Sequence, residues 1–346
     1  MNAGSPIKLP VALTLGEPAG IGPDIAIDAW LARDAQDIPA FAFAGPAWIL
    51  QQRARQMGRT IQTVHAGPDE AGQAFARAIP CLEDTAERTV ALSRPDPANA
   101  DLVIGSIRTS VELVHSGRCC AVVTNPIHKK TLAEAGFAHP GHTEFLGELS
   151  QQLFDIAARP VMMLAAPELK TVPVTIHIAL RKVFDCLTTD LIVETGRIVA
   201  RDLTLRFGID QPRLALAGLN PHAGEDGLMG EEDAEIIRPA VERLVELGIA
   251  ATGPHPADSM FHAAARTQYD AALCMYHDQA LIPVKTLAFD SGVNATLGLP
   301  FVRTSPDHGT AFDIAGSGTA NPSSLIAALR MADLMSAQKP TPSLVQ

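Results

Sequence analysis

The stretch 270-DAALCMYHDQALIPVKT-286 runs through small and apolar residues from Ala271 to Met275 and then meets an ionisable pair, His277 and Asp278. An uninterrupted apolar run of this length reads as a strand buried on both faces, the kind found in parallel sheets covered by helices. A buried strand ending on His277 and Asp278, with Lys285 eight residues further on, has two readings. One is a capped strand end with solvated charges. The other is a site at the carboxyl edge of a parallel sheet, where α/β proteins bind their ligands.

The same alternation extends along the 346 residues. Val11–Leu15, Ala40–Ala44, Cys120–Thr124, Val161–Ala165, Val172–Ile178, Arg213–Ala217 and Ala271–Tyr276 read as strands. Asp24–Arg33, Ala47–Met57, Asp101–Ser116, Thr188–Phe207 and Glu231–Leu247 carry helical periodicity. Helix starts are expected at Thr189-Asp190 and at Asn321-Pro322, the latter with Asn as cap and Pro in the first turn. The pattern predicts an α/β fold with mostly parallel sheets. Chain crossovers are expected near 131–145, which carries no strand, and near Asp290–Asn294. The tail KPTPSLVQ is expected to be loose.

Composition narrows the function. Apolar residues make up 47% and charged residues 19%, and the net charge is −11 without any block of like charge. That argues against nucleic acid or an anionic membrane surface as partner. No run approaches the roughly 18 apolar residues of a membrane span. The first residues are broken by Gly16 and Pro18, too early for a signal-peptide core. Five cysteines without a C-x-x-C fit reduced thiols, so a soluble cytoplasmic protein is expected.

Each strand is followed by polar groups worth noting. The turn 14-TLGEPAGIGPD-24 permits close backbone approach through Gly16, Gly20 and Gly22 but is not G-x-G-x-x-G; alone it reads as a tight strand–helix turn. In 124-TNPIHKKTL-132, His128, Lys129 and Lys130 are candidate anion ligands, with the lysines assigned mostly to solvent. His142-Thr143, after Gly141 and before a helix start, is better placed for an anion. His177, His222 and His277 each sit at or near a strand end, 45 and 55 residues apart. Three imidazoles with an open position suit Zn²⁺ or a similar Lewis-acidic ion, although the spacing matches no local metal motif. Arg303 suits bidentate capture of phosphate or carboxylate, or a partly exposed salt bridge. The glycine-rich stretch from His308 to Asn321, with Asp313, is a weak nucleotide-loop pattern.

GEPAGIGP (16–23), GHTEF (141–145), GLNPHAGE (218–225), ADSMF (257–261), MYHDQ (275–279) and GVNATLGLPFVRTSPDHGTA (292–311) together resemble the 4-hydroxythreonine-4-phosphate dehydrogenase family of pyridoxine biosynthesis. The likeness runs from about residue 10 to 335, and HGTAFDIAGSGTANP (308–322) is similar to the cofactor loop of isopropylmalate and isocitrate dehydrogenases. The resemblance implies their two-domain fold, with the active site in the interdomain cleft. The expected domains are 1–130 plus 295–346 on the cofactor side and 131–294 carrying metal ligands and dimer contacts. It implies oxidation of 4-phosphooxy-L-threonine by NAD⁺ or NADP⁺, followed by decarboxylation to 3-amino-2-oxopropyl phosphate.

By the same resemblance His177, His222 and His277 bind a divalent metal (Zn²⁺, Mg²⁺ or Co²⁺), the site being completed across a homodimer. His142, Thr143, Lys285, Asn294 and Arg303 contact the phosphorylated hydroxy-amino-acid substrate. Lys285 is the candidate base and Asp278 a partner of His277. His308, Gly309, Asp313 and Asn321 lie on the cofactor loop. The chain departs from the family pattern at Leu15 and Asn125. The resemblance also takes in relatives acting on phospho-D-threonate or an aromatic cis-dihydrodiol, with which the three histidines are equally compatible, so that substrate class is the alternative.

Overall fold

The computed structural model describes residues 8–338; the tail KPTPSLVQ lies outside them. The strands are β1 (Val11–Thr14), β2 (Phe41–Pro46), β3 (Thr63–His65), β4 (Ile79–Glu83), β5 (Val122–Val123), β6 (Val161–Ala166), β7 (Leu169–Pro173), β8 (Arg213–Ala217), β9 (Ala250–His255), β10 (Ala271–Cys274), β11 (Val293–Leu297) and β12 (Arg303–Pro306). The chain forms two compact units: one from the residues up to Pro160 with Leu299–Ala337, the other from Val161–Gly298.

In the first unit the strands run β3-β4-β2-β1-β5-β12, and every pairing is parallel. Val11 to Thr14 are all buried, as an apolar run packed on both faces requires. The crossovers are helical, and all the carboxyl ends therefore lie along one edge. The expected domain boundary stood at 130/131, whereas the structure keeps 131–160 in this unit. The physical reason is the helix His142–Phe154. Its Phe145, Leu146 and Leu149 share a core with Ile107, Val111, Val122, Leu299 and Phe301. Each such buried side chain contributes about 2 kcal/mol.

In the second unit the order is β11-β6-β7-β10-β8-β9. β7, β10, β8 and β9 pair in parallel, while β6 pairs antiparallel with both β11 and β7. The fold is thus α/β and mostly parallel, as expected. Helices Thr189–Phe207, Arg238–Glu246 and His277–Leu287 cover this sheet. The first of these is capped by Thr188, whose hydroxyl accepts from the Leu191 amide.

Two strand expectations need correction. β7 stops at Pro173, so His177 stands beyond the strand. β10 stops at Cys274, and His277 and Asp278 open a helix instead of closing a strand. Asp278 in that first turn suits the positive end of the helix dipole. No described helix is long and apolar enough to cross a membrane. The five cysteines are free; Cys81, Cys119 and Cys274 are buried and Cys186 is exposed.

Candidate active site

The adjacent ends of β7 and β10 set the geometry in the second unit. Val174 N donates to Cys274 O at 2.8 Å, and the Thr175 hydroxyl donates to Met275 O at 2.7 Å, so the two chains run side by side past their last ladder pairs. This brings His177 and His277 together, with ring centroids 5.5 Å apart. His177 holds a left-handed backbone with φ of 54°. Strained positions of this kind concentrate at functional sites. His277 Nδ1 lies 2.7 Å from Asp278 Oδ1. A carboxylate only accepts, so Nδ1 carries the hydrogen, and Nε2 is the nitrogen left to face a ligand. That is the arrangement of a metal-ligating imidazole oriented by a carboxylate. Both histidines line a cavity of about 230 Å³, walled further by Thr175, Ile178, Leu180 and Tyr276. Two imidazoles in an open pocket, one with its tautomer fixed, fit a divalent ion such as Zn²⁺.

Lys285 shares a helix face with His277 and Leu281, and the three line a second cavity of about 380 Å³. Its ammonium sits 5.9 Å from the Phe289 ring. Asn294 projects from β11, and its Oδ1 is buried with no hydrogen-bond partner in the protein, an acceptor awaiting a donor.

His222 lies elsewhere. It lines a cavity of about 420 Å³ with Glu225, Asp226 and Arg238, apart from the His177–His277 pair. Among the described residues of one chain, no three His, Cys, Asp or Glu side chains converge as a metal site. The backbone from His222 to Asp226 is left-handed throughout, with φ between 42° and 83°. Each non-glycine residue there costs roughly 1–2 kcal/mol. Just before this run the buried Asp233 carboxylate accepts from Leu219 N at 2.8 Å and Asn220 N at 3.0 Å. Gln279 then ties the loops together, accepting from Met275 N and donating to Gly218 O, both at 2.7 Å. Asp233 and Gln279 were not singled out from sequence. Buried polar residues one turn into helices, after strand-end motifs, were the available signal.

In the first unit Arg303 is buried on β12. Its Nε and Nη2 donate to the Thr124 hydroxyl at 3.1 and 2.6 Å. Burial pulls its pKa down to about 10, so it is charged at neutral pH. His142 opens the helix His142–Phe154, with Thr143 next to it. Its Nε2 is buried without a partner. Desolvation, then the charges of Arg303 and Lys129, hold its pKa well below the ordinary 6.5. A neutral imidazole beside a buried guanidinium at a helix N-terminus is a site prepared for an anion. Lys129 itself is exposed. Asn125 is fully buried, and its Oδ1 also lacks a partner.

On the glycine-rich loop, His308 Nδ1 lies 3.0 Å from Gly309 O and its Nε2 has no partner. Gly309 and Asp313 are exposed, Asp313 in the short turn Phe312–Ile314. Asn321 Oδ1 accepts from Ser323 N at 3.0 Å and caps the last helix, as expected.

Comparison with known proteins places the chain in a family. The model of the family described as "Pyridoxal phosphate biosynthetic protein PdxA" matches residues 37–332. A 4-hydroxythreonine-4-phosphate dehydrogenase of Bradyrhizobium diazoefficiens is 54% identical over 338 residues, covering 95% of this chain and 98% of that protein. A crystal structure of 4-hydroxythreonine-4-phosphate dehydrogenase from Klebsiella pneumoniae superposes with a TM-score of 0.86 at 34% identity, covering 97% of this chain and 100% of the other. A terephthalate 1,2-cis-dihydrodiol dehydrogenase from Burkholderia xenovorans reaches 0.62 at 26% identity, covering 94% and 98%. By its sequence and by its fold, the chain belongs to the PdxA family of pyridoxal phosphate biosynthetic proteins.

Proposed function

We infer that this protein is a dehydrogenase that oxidises the C3 hydroxyl of 4-phosphooxy-L-threonine with NAD⁺ or NADP⁺. The product, 2-amino-3-oxo-4-phosphooxybutanoate, loses CO₂ to give 3-amino-2-oxopropyl phosphate for pyridoxal 5'-phosphate synthesis. The observation that carries this reading is the 54% identity to a dehydrogenase of that name along 95% of the chain.

The residues divide the work. Arg303, His142 and Thr143 take an anionic group of the substrate, and Asn294 Oδ1 accepts from one of its donors. His177 and His277 hold a divalent ion (Zn²⁺, Mg²⁺ or Co²⁺), completed by His222 of the partner subunit in a homodimer. Held by these residues, such an ion would supply Lewis acidity, lowering the pKa of the substrate hydroxyl and steadying the enolate left by CO₂. Asp278 fixes the His277 tautomer. Lys285 takes the hydroxyl proton while the C3 hydrogen leaves as hydride to the nicotinamide held on 308–322; it returns the proton to the enolate carbon. Exposed Ile178, Leu180, Phe184 and Ile282 near the two histidines support burial of this face against a second copy.

The test is NAD(P)H formation with 4-phosphooxy-L-threonine before and after EDTA, with Zn²⁺, Mg²⁺ or Co²⁺ added back and phospho-D-threonate in parallel. Turnover on the L-threonine derivative that vanishes with EDTA and returns with metal is expected. Turnover on phospho-D-threonate alone, or turnover indifferent to chelation, contradicts the reading.

A further inference from the structure

The motif 16-GEPAGIGPD-24 takes no part in the chemistry above, yet it is among the most tightly held segments of the first unit. Arg53, from the helix Ala47–Met57, is only 2% exposed and reaches into the turn. Its Nη1 donates to Gly20 O at 2.6 Å and pairs with the Asp24 carboxylate; its Nη2 donates to Pro18 O at 2.8 Å. The fully buried Asp24 spends its other oxygen outside the turn, accepting from Gly316 N at 2.7 Å. Ile21 N donates to Thr310 O at 3.0 Å. Ser93 adds a strap: its amide donates to Ala19 O at 3.0 Å and its hydroxyl to Phe312 O. Apart from Arg53 and the bond from Glu17 N to Pro126 O at 2.8 Å, the outward bonds of the turn go, directly or through Ser93, to the loop from Thr310 to Gly316. The approach is closest at Gly20, where a Cβ would stand 2.7 Å from Thr310 O.

We propose that the turn 16–24, locked by Arg53, is the platform that sets the loop 308–318 for the nicotinamide cofactor, and that Gly20 is a positioning residue for cofactor binding. This rests on the reading of 308–322 as the cofactor loop. The physical logic is preorganisation. A glycine-rich loop held in its binding conformation loses less freedom when the cofactor docks. The loop needs such support, because Ala311 holds φ of 41° and Gly316 and Gly318 hold 74° and 73°.

Gly20→Ala isolates the claim. Gly20 has no left-handed φ, and the three atoms nearest the added methyl all belong to Thr310. Expected are a tenfold or greater rise in the Kd of NAD⁺ or NADP⁺ by calorimetry and faster amide exchange across 308–318 without cofactor. The KM of the hydroxy substrate should stay within twofold. Ser93→Ala, a milder change at an exposed residue, should move cofactor affinity about threefold in the same direction, and it serves if Gly20→Ala fails to fold. Cofactor affinity within twofold in both variants, or an equal rise in substrate KM, overturns the proposal. His308→Ala and Asp313→Ala separate it from the reading beneath. If these weaken cofactor binding and Gly20→Ala does not, the platform fails alone. If these leave the cofactor Kd untouched, the cofactor-loop assignment fails.

Discussion

The two units treat their polar groups in opposite ways. In the first, Arg303 is 5% exposed and already bonded to Thr124, with the neutral His142 beside it. In the second, His277 keeps 35% of its side chain exposed, and Leu180 and Phe184 are 60% and 52% exposed near it. A buried guanidinium must be paired and held in place by the surrounding fold, because an unpaired buried charge is too costly. The imidazoles carry no such cost and stand open among apolar side chains that a monomer would ordinarily bury. The contrast teaches that one half of the chemistry is built by the chain itself. The other half stands open, and on the proposed function a metal and a second subunit complete it.

The largest effect expected on the prebuilt side comes from Arg303→Lys. Lysine keeps the charge but loses the planar fork and the two contacts to Thr124. The account predicts a drop in kcat/KM for 4-phosphooxy-L-threonine of about 100-fold, equivalent to about 2.7 kcal/mol. Cofactor affinity should hold steady. A change below threefold in steady-state assays would remove Arg303 from the anion site and erase the contrast.

A smaller effect reads the same site through stability. The folded His142 resists protonation while the unfolded chain accepts a proton near the ordinary 6.5. The unfolded state then binds more protons below that value. Stability is therefore complete above about pH 6.5 and falls as the pH drops, by at most about 1.4 kcal/mol per unit for this group. Melting curves from pH 7 to 5 should show the decline, His142→Asn should flatten it, and added inorganic phosphate should oppose it. A decline identical in the variant would place the titration elsewhere.

Much of this arrangement was legible beforehand. The apolar runs at Val11, Arg213 and Ala271 gave β1, β8 and β10, because strands buried on both faces leave a continuous signal. β3 and β4 were not read: Thr63–His65 is short and partly exposed, and Ile79–Glu83 ends in a charge, so neither has that signature. The extension of β7 through His177 failed because backbone bonding to the β10 segment reaches only Thr175 before His177 turns left-handed. The left-handed run His222–Asp226 was invisible for a different reason. The buried Asp233 anchors the entry to the run at Leu219 and Asn220 from 13 residues or more along the chain, and local propensity carries no trace of such a bond. The buried pair Arg53–Asp24 was hidden likewise, since Asp24 looked like an ordinary first-turn carboxylate. Placement of His222 in a cavity separate from the other two histidines likewise could not be seen from strand-end positions alone.

That separation points to the most direct test. If the metal site takes His177 and His277 from one chain and His222 from its partner, defects on opposite sides should complement. His222→Ala and His277→Ala homodimers should each be inactive and metal-poor. Mixed and re-equilibrated in equal amounts, they should recover about a quarter of wild-type turnover. Half the dimers are then mixed, and each mixed dimer holds one intact site. The pair His177→Ala and His277→Ala should recover nothing, because both ligands leave the same side. Recovery by that second pair, or none by the first although mixed dimers form, would contradict a site shared between subunits.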